Sequence, residues 1–326
     1  MMKKCCFIIP YFGKLPKNFQ LFLDSCGYNG DFNWIIFTDD DSQFEYPVNV
    51  QRIMMQFSEL QKLIFLKFDF KPQIDSPYKL CDYKPAYGYL FEEYIKGYQF
   101  WGHCDCDLIW GRLSDFITDD MLKGYDKIFT LGHCIIYKNT FEINRVFMKD
   151  CKGKERYKEV YQNNEQCAFD EEYLPNNVNT IFLQHGYKVF EDDYSANLKV
   201  NCTDFRVTRF DKITRSYLNE DKNDNFFVFD NGVLKRYYMR FNELYESEYM
   251  YIHFQRRAMI NLLNERKAIY KIAPNSFDTL EKEVTKDTFK EIKKRYKNNH
   301  MRNYYKYEIK FWKKRIFNKL FHQVEK

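Results

Sequence analysis

The sequence predicts an α/β protein with a mixed central sheet, on three observations. An apolar run, "CCFIIPYF", is followed by helical spacing at Phe19, Phe22, Leu23 and Cys26, and then by a second apolar run, "WIIFTDDD". Strand, helix, strand in that order is a βαβ unit, which argues for parallel pairing. Hydrophobic residues make up 45% of the 326 and aromatics 19%, enough for a sizeable core and too much for a disordered chain.

Each element follows from local pattern. Pro10 ends the first strand, and Gly27 stands where the first helix needs a C-cap. Ser58 and Gln61 have capping-box spacing ahead of "ELQKLIFLKF". "LCDYKPAYGYLFEEYIKGYQF" reads as a helix with Pro85 near its start and Gly97 at its end. The segment "FWGHCDCDLIWG", residues 100–111, is the next strand, and "YDKIFTLGHCIIYKN" a strand pair. "VNTIFLQHGYKVF" predicts a helix, a cap at Gly186 and a short strand; "NFFVFDNGVLKRYYM" predicts a hairpin turning at Asp230, Asn231 and Gly232. "EYMYIHFQRR" reads as a strand, and the chain from about residue 281 as helix.

The chemistry concentrates in residues 100–111. On a strand, side chains alternate between faces, so His103, Asp105 and Asp107 share one face and Cys104 and Cys106 the other. C-x-C lacks the usual zinc spacing and has no second Cys/His pair at a matching distance, so the cysteines read as packing. Two carboxylates one residue apart repel unless a cation lies between them, and oxygen ligands suit Mg²⁺ or Mn²⁺. The C-terminal edge of a parallel sheet is also where open α/β folds bind ligands. A solvated turn that contains two aspartates is the plainer alternative.

In order along the chain, "FIIPYFG", "WIIFTDD", "YKLCDYKPAYGYLF", "FWGHCDCDLIWG", "LGHCIIYKN", "FDEEYL" and "YIHFQRR" resemble bacterial GT-A glycosyltransferases of capsule and surface-polysaccharide loci. The resemblance spans roughly residues 4 to 275. It implies a GT-A-like, Rossmann-type nucleotide-diphospho-sugar transferase fold over 1–275, divided into a nucleotide-binding part (1–112) and an acceptor part (113–275). It further implies that Asp105 and Asp107 hold the metal, with His253 as a further ligand. Pro10, Tyr11, Phe12, Thr38 and Asp39 would then touch the nucleoside. A nucleotide sugar of UDP is the expected donor, and a glycan or lipid-linked glycan the acceptor.

The remaining polar positions carry alternatives. Lys84 is a cation at an expected helix start, compensated either by the donor diphosphate or by Asp82. Arg256 and Arg257 either neutralise a leaving diphosphate or are solvated. Asp170 and Glu171, in "AFDEEYL", are the candidate catalytic carboxylates, whether for deprotonating an acceptor or for standing beneath an anomeric carbon; acidic runs also decorate helix starts. His133 lines the acceptor side or is a strand histidine, and His103 has no assigned role.

Charge divides the chain. Residues 281–326 carry 15 Lys+Arg against 6 Asp+Glu, a net of +9, which leaves −4 for residues 1–280 of the +5 total. Ile309, Trp312, Ile316 and Leu320 fall near helical spacing among lysines, as in a basic amphipathic helix on an anionic membrane surface. The expected tail is therefore 276–326, binding the inner face of the cytoplasmic membrane, with no nucleic acid as partner. Ten scattered cysteines and a start, "MMKKCCFIIPYF", without a cleavage site predict reduced thiols and a cytoplasmic location. The competing functions are a nucleic-acid-binding or nuclease-like protein using the same carboxylates, and a non-catalytic relative that binds sugar nucleotides.

Overall fold

The computed structural model describes residues 3–199, 204–255, 257–294, 309, 312 and 313. These fall into two compact units. One comprises the chain to Ala196 with Arg209–Leu218 and Met250–His253; the other comprises Asn197–Thr208, Asn219–Tyr249 and the chain from Phe254.

The first unit is built on a seven-stranded mixed sheet. Its strands are β1 (Lys3–Pro10), β2 (Phe32–Thr38), β3 (Val50–Met54), β4 (Tyr98–Cys104), β6 (Lys127–Ile128), β7 (Cys134–Lys138) and β8 (Val189–Phe190), with β5 (Leu108–Trp110) outside it. The order is β3-β2-β1-β4-β7-β6-β8, and the first four strands are parallel. Helix α1 (Phe19–Gly27) crosses from β1 to β2, as the βαβ pattern predicts. β7 runs antiparallel to β4, with Gly102 opposite Ile136 and Cys104 opposite Cys134. The sheet is thus parallel on one side and mixed on the other.

Both faces of this sheet are covered, which explains the unbroken apolar runs. Cys6, Ile8, Ile35, Phe37 and Trp101 pack into one core; Cys5, Phe7, Ile9, Trp34 and Ile36 pack into the other. Trp101 stacks on Tyr137 with ring centroids 4.4 Å apart. It also presses on Gly88, where an added Cβ would come within 2.2 Å of the indole. Only glycine fits there.

Two helical expectations change in detail. Helix α2 (Phe57–Lys67) is capped by Gln56 with Glu59 rather than by Ser58 with Gln61, because Gln56 is the residue in extended conformation. The single helix expected before Gly97 is a succession of short α and 3₁₀ turns between Pro77 and Ile95. Pro85 lacks the amide needed for a continuous ladder, and the chain answers with a 3₁₀ turn, Lys84–Ala86.

Strands β9 (Ser195–Leu198), β10 (Val207–Asp211) and β11 (Ser216–Asn219) pass between the units in sequence. The second unit holds a six-stranded sheet of β12 (Asn225–Asp230), β13 (Val233–Arg240), β14 (Glu243–Glu248), β16 (Ile260–Asn261), β17 (Ile269–Ala273) and β18 (Ser276–Asp278). Its order is β14-β13-β12-β17-β18-β16. The β12–β13 hairpin turns through Asn231 and Gly232, both at positive φ (47° and 88°), the conformation that Asn-Gly favours. The boundary expected at 275/276 falls inside the β17–β18 hairpin, so the sheet continues past it to Asp278. Phe289 and Ile292, on a single helical turn, pack against Phe226 and Val228 of β12. Of the expected tail helix beyond, Ile309, Trp312 and Lys313 are helical, and Ile316 and Leu320 lie outside the described residues. No helix among the described residues is long and apolar enough to cross a membrane.

Candidate metal and carboxylate site

β4 ends at Cys104, and its direction brings Asp105, Cys106 and Asp107 to the C-terminal edge of the parallel strands, as a turn before β5. The continuous strand expected over 100–109 is therefore broken at the aspartates. Alternation still sorts the side chains. Cys104 and Cys106 pack with Leu108 and Trp110, and His103 lies against the rings of Tyr87 and Tyr137 on the opposite face. β15 (Tyr251–His253) pairs antiparallel with β5, which sets His253 opposite Leu108. Asp105, Asp107 and His253 then converge, with one ligand atom from each lying within 4.8 Å of the others. His253 Nε2 is 3.6 Å from Asp105 Oδ2 and 3.4 Å from Asp107 Oδ1. Burial opposes a charged imidazole here, yet Asp107 and Asp105 outweigh it and raise the His253 pKa.

A second group of acids adjoins the first through a lysine. Lys84 Nζ donates to Asp105 Oδ1 at 2.8 Å and to the carbonyl of Gly132 at 2.8 Å, and lies 3.2 Å from Asp170 Oδ2. Three acceptors match the three N–H bonds of an ammonium. Desolvation works against this buried charge, but Asp105 and Asp170 hold its pKa well above the usual lysine value. In return, Lys84 and His253 overcome burial and hold Asp105 down at about 2. Asp170 goes the other way: burial, together with Glu171 and Asp105, pushes it up to about 7 against the pull of Lys84. Glu171 is raised as well, chiefly by burial, and accepts from the Gly132 amide at 3.3 Å.

Gly132 is the hinge of this arrangement. A Cβ on it would meet Asp170 Oδ2 at 2.5 Å and Glu171 Oε1 at 2.7 Å. The acidic segment is itself fixed from below by Asp82, which accepts from the amides of Cys167 (2.8 Å) and Phe169 (3.1 Å) and pairs with Lys79 at 2.8 Å. Asp82 is thus the anchor of the 167–169 turn and not the partner of Lys84. The protons of Lys84 are directed at protein oxygens, those of Asp105, Gly132 and Asp170. His133 lies beside His253, ring centroids 4.4 Å apart, and its Nδ1 is 2.7 Å from the Tyr251 hydroxyl. Burial and the neighbouring His253 lower its pKa.

The first loop carries the other expected contacts. Thr38 is fully buried and its hydroxyl accepts from the Asp40 amide at 3.1 Å. Asp39 Oδ1 accepts from the Gly13 amide at 2.7 Å, and buried Asp40 accepts from the Leu15 amide at 2.7 Å and from Lys14 at 2.9 Å. Pro10 closes β1, and Tyr11 is half-buried, its hydroxyl pKa raised chiefly by burial, with the carboxylates of Asp107 and Asp40 adding to it. Phe12 instead turns into the core, 5.3 Å from Phe57, so no face of its ring remains for a nucleoside. Arg256 lies outside the described residues. Arg257, in the second unit, donates to the carbonyls of Pro274, Lys199 and Asp204 and serves the fold there.

Sequence reasoning missed Gly132, Tyr251 and Asp40. The "LGH" between two strands was the available signal for the first; Asp40 is one of three consecutive aspartates, among which composition does not choose. Also unforeseen is the pairing of buried Glu172 with Arg215 from the loop after β10.

One family matches this chain: a "Family of unknown function (DUF6625)" aligns with residues 7–281. The chain belongs to DUF6625. The match spans both Asp-rich strand ends, the Lys84 cluster and His253, so the site lies wholly within the matched residues. Among curated proteins no significant match is found.

Proposed function

We propose that this chain is a metal-dependent glycosyltransferase of GT-A architecture, transferring sugar from a nucleoside-diphosphate donor to a glycan or lipid-linked acceptor. The observation that carries the reading is the convergence of Asp105, Asp107 and His253 at the C-terminal edge of parallel strands ordered 3-2-1-4. Two carboxylates and an imidazole are a donor set suited to Mn²⁺ or Mg²⁺. When bound, such an ion neutralises charge on a departing diphosphate.

The chain's own residues supply the rest. Tyr11 offers a ring at the loop facing Asp107, while Asp39 and Asp40 hold that loop in shape. Asp170 and Glu171, kept protonatable by burial, are the groups suited to take a proton from an acceptor hydroxyl. The net +9 of residues 281–326 supports docking on an anionic membrane surface, where lipid-linked acceptors reside.

The test is a melting curve with UDP and Mn²⁺ together. A rise in Tm that Asp107→Ala abolishes is expected, followed by UDP or GDP release in a screen of nucleotide sugars. No metal-dependent shift with any nucleoside diphosphate would sink the reading.

A further inference from the structure

Asp105 uses its two oxygens differently. Oδ2 faces His253, on the side of the triad, and Oδ1 holds the ammonium of Lys84. A carboxylate shared in this way between two cation positions is the arrangement of two-metal centres, where the ions lie roughly 3.5–4 Å apart. Around the second position the protein provides three oxygens: Asp105 Oδ1, the Gly132 carbonyl and Asp170 Oδ2, at 2.8, 2.8 and 3.2 Å from Nζ. That is the ligand chemistry of a hard divalent ion. Asp170 is almost wholly buried and its other oxygen, Oδ1, has no hydrogen-bond partner, so the cage has a spare ligand atom. Four carboxylates (Asp105, Asp107, Asp170 and Glu171) converge, and the tethered positive charge of Lys84 stands among them.

We propose that Lys84 is a built-in second cation: it occupies the place of a second divalent ion and limits the centre to one. The inference rests on the metal-binding reading of Asp105, Asp107 and His253. Its physical content is substitution of one cation by another in the same oxygen cage. An ammonium on a four-carbon stem cannot dissociate, so Asp105 and Asp170 keep a cationic partner whether or not the exchangeable metal is present. Removing the stem leaves space and uncompensated charge, which a small divalent ion can satisfy.

The experiment counts Mn²⁺ bound by the full chain, using equilibrium dialysis with electron paramagnetic resonance of free Mn²⁺. The native chain should bind about one ion, and Lys84→Ala about two, the pair giving the dipolar-coupled spectrum of neighbouring ions. The added ion should disappear again in Lys84→Ala combined with Asp170→Asn, while Lys84→Arg should stay at about one. Folded Lys84→Ala that still binds a single ion overturns the proposal. So does a native chain that binds two, a result requiring no variant to fold. A native chain binding none overturns the metal-binding reading itself, and is thereby distinct from failure of the Lys84 assignment alone.

Discussion

Two aspartate pairs stand at the C-terminal ends of neighbouring parallel regions, Asp39–Asp40 after β2 and Asp105/Asp107 after β4, and they are used in opposite ways. The first pair accepts from the amides of Gly13 and Leu15 and from Lys14, so its charges are absorbed by the loop they shape. In the second, Asp105 and Asp107 meet His253, and each side chain retains 33% exposure. What distinguishes the two pairs is that backbone amides take up the first, whereas the second is met, among the described residues, only by the side chains of Lys84 and His253, at the same edge of the sheet.

Substitution should separate the two pairs. Asp40→Ala strips a buried acceptor from the Leu15 amide and from Lys14, and should cost about 3 kcal/mol of stability in urea titrations. Asp107→Ala should cost less in the metal-free chain, under about 1 kcal/mol, because what it loses is a partly exposed pairing with His253. Equal losses from both would erase the distinction. Gly132→Ala comes next, at about 2 kcal/mol, from the Cβ driven against Asp170 and Glu171. Its Mn²⁺ affinity should fall as well, because Lys84 leans on the Gly132 carbonyl.

The smallest effect is one of pH. His253 is raised by Asp107 and Asp105, against burial, so its folded pKa exceeds the unfolded value of about 6.5. In the metal-free chain the stability from this pairing is fully present below that unfolded value, and is lost as pH rises through the raised one. A metal needs the neutral imidazole, so the gain in Tm from Mn²⁺ should be larger at pH 8 than at pH 6. A gain that shrinks over that interval would exclude His253 as a ligand.

Much of this was legible before any coordinates. The β1–α1–β2 unit, the inward cysteines and the outward aspartates of residues 100–111 follow from periodicity alone, because burial on both sheet faces leaves a local trace. His253 was found as the late histidine on a short strand. The Lys84 cluster was not. It depends on a turn near Gly132 and a loop at 167–170 meeting Lys84, which lies far earlier in the chain than either, and no local pattern records such a meeting. Asp82 and Lys84 illustrate the limit, since both were placed at one helix start, yet each serves a different partner across the fold. Phe12 shows another. An aromatic after a strand-ending proline looks available for stacking until the position of Phe57 is known.

The cysteines lend the fold a built-in clock. Cys5, Cys6, Cys26, Cys104, Cys106, Cys134 and Cys151 are free thiols shut inside the cores, whereas Cys81 and Cys167 are partly accessible. Burial raises the thiol pKa at Cys5, Cys6, Cys104 and Cys106, leaving little nucleophilic thiolate in the closed chain. Alkylation of Cys104 and Cys106 therefore times the opening of the end of β4 and of the turn that carries Asp105 and Asp107, without any label being introduced.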